Sequence, residues 1–274
     1  MGFSYCLNTS TIRSEGATIL DTIDTAADAG WDALEPWVKE LDDWVAQGGT
    51  LDQVRQHAQE RGLALVSLIG FPEWAVPEED RRAAGLAEAA RCFAMARQLG
   101  CPHVAAPPMG IHDRALDIKP VAQRFAALYD LAQDYGVQPL LEYWGIAQTL
   151  GTTGEALLVA AECGRPDVLL LADIFHMYKG SGHHFGFEHF GAGRLGLIHV
   201  NDFPAVPERA TITDADRVYP GDGEAPWPQI MTALERIGYN GILSLELFNQ
   251  SYWDQGPEQV ARQGLEKLRR CVEG

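Results

Sequence analysis

An alternation of short apolar runs with longer helical segments constrains the fold of this chain more than any other feature of its sequence. About eight such units follow one another, each run ending in polar residues, Gly or Pro. The runs that predict strands are residues 3–7, 31–34, 63–69, 103–106, 138–142, 168–173, 195–201 and 241–247. Because these runs are apolar almost throughout, they predict parallel strands covered by helices.

Helical spacing between the runs supports this interpretation. It is clearest in residues 49–61, 83–99, 120–135, 154–163, 227–237 and 257–272. The predicted buried stripe of the second of these helices consists of Leu86, Ala90, Phe93, Ala94 and Leu99. The seventh unit is the weakest, because residues 181–193 (SGHHFGFEHFGAG) are rich in Gly and His, and its helix is expected to be short.

Eight strand–helix units in 274 residues predict one closed (β/α)₈ TIM barrel, a single domain over residues 1–274. A net charge of -17 without a long basic cluster argues against a nucleic-acid partner. The sequence contains neither a long apolar run nor a secretory signal, so no membrane association and a cytoplasmic location are expected. Five scattered cysteines without a CxxC pair argue against disulfides and zinc–cysteine sites.

Polar side chains end four successive predicted strands, at the face where barrels of this kind carry their active sites. These residues are Glu142, Asp173, His199 and Glu246. Three carboxylates that converge without a cation would repel one another, so a divalent metal ion is predicted among them. Carboxylates with one imidazole favour Mn²⁺, with Mg²⁺, Co²⁺ and Zn²⁺ as alternatives. Asp202, after the same strand as His199, is predicted to orient a ligand or to face the substrate.

Each of these residues also has a structural interpretation. Glu142 alone would serve as a helix cap or ion-pair partner, His199 as a hydrogen-bonded core histidine, and Glu246 as a salt-bridge partner. Their recurrence at one level of four consecutive strands favours the metal site.

Five segments carry a resemblance to a known family. They are LLEYW (140–144), LLLADIFHMYKG (169–180), LIHVNDFP (197–204), DRVYPGDGEAPW (216–227) and ILSLELFNQSYW (242–253). In this order they resemble the xylose-isomerase-like TIM-barrel superfamily of sugar isomerases and epimerases, and are most similar to its 2-keto-myo-inositol (inosose) isomerase branch. The resemblance implies that Glu142, Asp173, His199 and Glu246 bind the metal, that Glu142 and Glu246 act as acid and base, and that His176 and Arg217 orient the substrate.

The chemistry of such a reaction suits these residue types. Removal of a proton beside a carbonyl gives an enediolate, which a divalent ion stabilises through neighbouring oxygens. Return of the proton at the adjacent carbon isomerises the substrate, and return to the opposite face epimerises it.

Other residues near the strand ends have two interpretations each. Arg217 would hold substrate oxygens or pair at the surface with Asp214 or Asp216, and Glu35 would bind a hydroxyl or form an ion pair. Aromatic residues after strand ends would line a sugar or pack the barrel rim, namely Trp37, Trp144, Phe248, Tyr252 and Trp253. The histidines His183, His184 and His189 would form a second metal site or a solvated lid.

The expected partner is a small carbohydrate or cyclitol. An unphosphorylated keto-sugar or inosose is preferred, because only Arg217 and Lys179 are near the predicted mouth to bind an anion. Hydroxypyruvate, ketopentoses and ketohexoses are alternatives. A metal-dependent lyase similar to 3-dehydroshikimate dehydratase is the main alternative. A non-catalytic sugar-binding barrel and an AP endonuclease-like hydrolase are the others, and rim aromatics are consistent with a homo-oligomer.

Overall fold

The computed structural model describes residues 2–274 and contains eight parallel strands. In chain order they are β1 (Ser4–Asn8), β2 (Ala33–Glu35), β3 (Ala64–Leu65), β4 (His103–Ala106), β5 (Gln138–Glu142), β6 (Leu169–Asp173), β7 (Leu195–Val200) and β8 (Ile242–Leu245). Their order across the sheet is β3-β2-β1-β8-β7-β6-β5-β4. Leu68, just after β3, closes the ring: its N–H donates to His103 O (3.1 Å), and its carbonyl accepts from Ala105 N (2.9 Å). The prediction of a (β/α)₈ barrel is therefore confirmed.

Ten α-helices connect the strands within the described residues. They are α1 (Ile19–Ala29), α2 (Val38–Ala46), α3 (Leu51–Glu60), α4 (Glu79–Leu99), α5 (Ile118–Gln133), α6 (Thr153–Glu162), α7 (Ile174–Ser181), α8 (Trp227–Arg236), α9 (Gln250–Trp253) and α10 (Pro257–Glu273). The six predicted helices are all present with shifted ends. Four helices were not predicted: α1, α2, α7 and the short α9. In the weak unit, the eight-residue α7 is followed by two 3-10 turns, Phe185–His189 and Ala192–Arg194, so its helix is short as expected.

The buried face of α4 differs in part from its predicted stripe. Phe93 and Leu99 are buried, but Ala94 is exposed and Ala90 is only partly buried. The helix instead buries Ala89, Cys92, Phe93, Ala96 and Leu99. On a helix of 3.6 residues per turn these residues fall on one side, whereas Ala94 lies on the opposite side.

The inside of the barrel is filled by a compact apolar layer below the candidate site. It consists of Cys6, Ala33, Val66, Ile69, Ala105, Leu140, Leu171 and Leu197. Side chains of a strand alternate between its two faces, so the residue two positions further along also points inward. That position holds Asn8, Glu35, Glu142, Asp173 and His199 after Cys6, Ala33, Leu140, Leu171 and Leu197, respectively. The period of the strands therefore places a polar layer directly above the apolar one. No helix among residues 2–274 is long and apolar enough to cross a membrane.

Candidate metal centre and active site

Asp173 and His199 of the polar layer and Glu246, the residue after β8, bring possible metal ligands together. One ligand atom from each of Asp173, His199 and Glu246 lies within 4.8 Å of the others, and all three side chains are buried. Nδ1 of His199 is 3.3 Å from Glu246 Oε2 and 3.7 Å from Asp173 Oδ2. This nitrogen is buried and has no hydrogen-bond partner. An unpaired imidazole nitrogen facing two carboxylates fits a divalent cation.

The ring of His199 is oriented from its other side. Nε2 of His199 donates to Glu35 Oε2 over 2.9 Å, and both side chains are completely buried. The same oxygen of Glu35 accepts from Ser244 Oγ at 2.9 Å. Burial would raise the pKa of Glu35, but the charge and hydrogen bond of His199 outweigh it and lower this pKa. Of the two interpretations of Glu35, these contacts support the ion pair, here with the predicted ligand His199.

Arg217 is buried beside the same carboxylates. Its Nη1 donates to Asp173 Oδ2 (2.9 Å) and to Glu246 Oε2 (2.8 Å), and its Nη2 lies 3.2 Å from His176 Nε2. Nε and Nη2 both donate to Asp214 Oδ1. The predicted pairing with Asp214 is thus present, but its placement at the surface is wrong, because the side chain of Arg217 is only 1% exposed. Its charge has a measurable consequence: burial would raise the pKa of Asp173, but Arg217, His176 and His199 together lower it to about 2.

Glu142 lies beside this group without belonging to its closest cluster. Trp144 Nε1 donates to Glu142 Oε1 at 3.1 Å. Burial raises the pKa of Glu142 to about 8, and the charges of Glu246 and Asp173 act in the same direction while His199 opposes them. A carboxyl with this pKa exchanges protons near neutral pH.

A cavity of about 390 Å³ opens above the polar layer. Its lining residues are Arg13, Trp37, Ile69, Phe71, Glu142, Trp144, Ile146, His176, Asp214, Arg217, Glu246, Phe248 and Trp253. The combination of aromatic walls with a few convergent polar groups is typical of small-molecule sites, and the volume suits a molecule of monosaccharide size.

A family model described as "Xylose isomerase-like TIM barrel" matches residues 23–271. The chain belongs to this family. It is 27% identical to an inosose isomerase of Halalkalibacterium halodurans over 94% of this chain and 92% of the relative. It is also 23% identical to a 3-dehydroshikimate dehydratase of Pseudomonas putida, over 93% of this chain and 40% of that protein. The structure resembles that of the IolI protein with a bound zinc atom, with a TM-score of 0.90, 21% identity and 98% coverage of both chains.

These comparisons support the family that the motifs indicated. Both sequence relatives are enzymes, which supports an enzymatic function for this chain. The structural likeness supports the barrel fold.

Three of the five predicted substrate contacts, His176, Arg217 and Trp253, line the cavity, and Glu35 and Asp202 do not. His176 and Trp253 line the cavity, and the Trp253 indole N–H donates to Ser10 O (2.9 Å). Asp202 instead accepts four hydrogen bonds, from the backbone N–H groups of residues 203, 221 and 225 and from Trp227 Nε1. Its predicted contact with the substrate or a ligand is corrected: the carboxylate holds together the loop that carries Arg217.

Lys179 also has a structural role. Its Nζ donates to the carbonyls of Arg209, Ala210 and Ile212 over 2.8–2.9 Å. The ammonium group is thus occupied, and the prediction that it is available for an anion is wrong. His184 bonds to the carbonyl of Ile174 through Nε2. Among residues 2–274, the histidines of the 181–193 segment belong to no group of three or more potential metal ligands.

Two asparagines of the polar layer were not predicted. Asn8 Nδ2 donates to Glu35 Oε2 (3.0 Å) and Glu246 Oε1 (3.1 Å). Asn201 Nδ2 lies 3.2 Å from Asp173 Oδ2, and its Oδ1 accepts from the backbone of residue 175. Their only sequence signal is position, at the end of β1 and directly after β7, since an amide lacks the charge or imidazole that marks the other residues of the site.

Proposed function

We propose that this chain is a divalent-metal-dependent isomerase or epimerase of a keto-sugar or inosose, which transfers a proton through an enediolate. The observation that carries the proposal is the placement of two buried carboxylates, Glu142 and Glu246, in one cavity beside the His199 nitrogen that lacks a partner. Proton transfer beside a carbonyl requires such an acid–base pair and a means of stabilising negative charge.

The ligands of the ion would be Asp173, His199 and Glu246, with Glu142 as the fourth. A divalent ion held there supplies positive charge to neighbouring carbonyl and hydroxyl oxygens of a substrate. Mn²⁺ is the proposed ion, since oxygen ligands outnumber nitrogen in this set. Zn²⁺ is its main competitor, because the similar IolI structure contains a zinc atom.

The acid–base work is assigned to Glu142 and Glu246. Trp144 holds one oxygen of Glu142, which leaves Oε2 for a proton. Both oxygens of Glu246 are oriented, Oε1 by Asn8 and Oε2 by Arg217. One carboxylate takes the carbon-bound proton and the other, or the same one, returns it, so the site of return decides between isomerisation and epimerisation.

The substrate class is supported by the cavity and by one relative. A keto-sugar or inosose presents a carbonyl next to a hydroxyl-bearing carbon, as proton transfer requires, and has apolar ring faces that suit the aromatic walls. One relative that matches nearly the whole length of both chains is an inosose isomerase.

Dehydration is the second candidate, favoured by the similarity to a 3-dehydroshikimate dehydratase. Both reactions begin by removing a proton beside a carbonyl. They diverge according to whether a leaving group lies beta to the resulting carbanion.

Solvent-deuterium exchange followed by NMR tests these proposals. The panel consists of 2-keto-myo-inositol, fructose, tagatose, hydroxypyruvate and 3-dehydroshikimate, each with Mn²⁺, with Zn²⁺ or with EDTA. Metal-dependent exchange beside the carbonyl of one compound, lost in Glu246→Gln, is the expected result. Loss of water from 3-dehydroshikimate would assign the protein to the lyases, and no exchange in any compound would contradict the isomerase proposal.

A further inference from the structure

The guanidinium of Arg13 lies at the cavity mouth without an acidic partner. Its central carbon is 4.5 Å from the ring centroid of Trp37 and 5.5 Å from those of Phe248 and Trp253. The side chain is exposed to solvent. Within the described residues, no carboxylate oxygen lies within 4.0 Å of its nitrogens, and none of its N–H groups is hydrogen-bonded to protein. Arg13 therefore has all its donors free for a ligand.

The neighbouring cations are committed to protein groups. Arg217, the other arginine of the cavity lining, is bonded to Asp173, Asp214 and Glu246. Lys39, which lines the adjoining cavity of about 830 Å³ together with Arg13, pairs with Asp43 at 2.7 Å.

The aromatic support of Arg13 is itself held in place. The indole N–H of Trp37 donates to Asn8 Oδ1 (2.9 Å), and that of Trp253 donates to Ser10 O (2.9 Å). A guanidinium stacked on fixed rings loses less conformational freedom when it binds, and keeps its N–H edges free for a planar or tetrahedral oxyanion.

Arg13 is close enough to the reacting groups to bind the same molecule. Both Arg13 and Arg217 lie within 5.5 Å of the Phe248 ring centroid, on a cavity wall shared with Glu142 and Glu246. The net charge of -17 disfavours anions in general, so an anionic substrate requires a dedicated cation at the mouth.

We infer that Arg13 binds an oxyanion substituent, a carboxylate or a phosphate, on the keto-sugar substrate. This inference rests on the proposed function and narrows its substrate class from keto-sugars and inososes in general to acidic keto-sugars. Arginine recognises both anions through paired N–H donors, so the chemistry is shared and the ligand must be identified by experiment.

The test compares three ligands that share a keto group and differ at the terminal carbon: D-fructose, D-fructuronate and D-fructose 6-phosphate. Their dissociation constants are measured by calorimetry, with Mn²⁺ present, on the wild type, Arg13→Gln and Arg13→Lys. Lys39→Gln is the matched control, since it removes a nearby cation that is already paired. We expect at least one anionic ligand to bind tenfold or more tightly than fructose to the wild type and Lys39→Gln. That preference disappears in Arg13→Gln and is partly retained in Arg13→Lys.

Whichever of D-fructuronate and D-fructose 6-phosphate binds more tightly shows whether Arg13 recognises a carboxylate or a phosphate. Equal binding of fructose and both anions, an unchanged preference in Arg13→Gln, or no binding of either anion would overturn the inference. Arg13→Gln removes no hydrogen bond within the protein, and circular dichroism checks that it remains folded. Deuterium exchange measured in the same three ligands separates the two proposals. Arg13-dependent binding without exchange would contradict only the proposed isomerase function. Exchange with an unchanged ligand preference in Arg13→Gln would contradict only the proposed role of Arg13.

Discussion

Glu35 accepts a 2.9 Å hydrogen bond from Nε2 of His199, and neither side chain is exposed to solvent. Because a carboxylate only accepts, this contact places a proton on Nε2. In the neutral imidazole, Nδ1 then has a lone pair facing Asp173 and Glu246. Glu35 thus selects the histidine tautomer that a metal ion requires.

Replacement of this carboxylate tests its orienting role. We expect Glu35→Gln to weaken metal binding by about 10- to 100-fold, because the amide no longer specifies a proton on Nε2. Competition with a fluorescent chelator measures the affinity, and thermal unfolding checks the fold. Glu60→Gln, at an exposed position of α3, is the control and should bind metal like the wild type. Unchanged affinity in Glu35→Gln would show that packing alone orients the ring.

Metal binding is expected to release protons. Burial would lower the pKa of His199, but Glu246 and Glu35 raise it to about 10, and burial raises the pKa of Glu142 to about 8. Both groups are therefore protonated at pH 6 to 7 before they bind a cation, and a ligand must lose its proton to do so. Affinity for Mn²⁺ should rise with pH from 6 to 8, by roughly tenfold per pH unit for each proton released.

Calorimetry in buffers of different ionisation enthalpy counts these protons. We expect about one or more protons to be released for each metal ion bound. The prediction would be contradicted by binding heats that do not depend on the buffer together with an Mn²⁺ affinity that does not change between pH 6 and 8. Such a result would show that His199 and Glu142 do not lose protons on binding.

The residues of the candidate metal centre were predictable because strand geometry is local. A two-residue period and a strand boundary suffice to place Asp173 and His199 at one level, and their paired register in β6 and β7 agrees. Contacts that depend on closure of the barrel carry no local signal. Asn8 and Glu246, which are hydrogen-bonded, are 238 residues apart in the chain.

The missed helices have a similar explanation. Helix α7 begins directly after β6, where Asp173 Oδ1 accepts the N–H of His176 and caps it. Its apolar start, Ile174 and Phe175, continues the strand's pattern, so the boundary is invisible to periodicity. Arg13 was missed because it lies beyond the end of β1, after a 3-10 turn, rather than at the strand end itself.

Substitutions of the two proposed acid–base residues, Glu142 and Glu246, should differ in their effects on metal binding. Both Glu142→Gln and Glu246→Gln are expected to reduce deuterium exchange by about 10²- to 10⁴-fold, as loss of a general acid or base does. Glu246 belongs to the three-residue cluster and Glu142 does not, so Glu246→Gln should also lose more metal. Metal content after dialysis, measured by mass spectrometry, distinguishes them. Equal metal loss in both variants would place Glu142 among the principal ligands. Undiminished deuterium exchange in either variant would show that the substituted residue is not part of the acid–base pair.

Asp202 is expected to matter for stability rather than for ligand binding. In Asp202→Asn, one oxygen becomes an amide that faces donors such as Gly221 N and Trp227 Nε1, which normally bond to Oδ2. Loss of two buried hydrogen bonds should lower the free energy of unfolding by about 2–4 kcal/mol, measured by urea denaturation. Asp222→Asn, which removes a more exposed ion pair with Lys267, should cost less than about 1 kcal/mol. If Asp202→Asn were as stable as the wild type but bound ligand more weakly, the substrate contact predicted from the sequence would be supported instead.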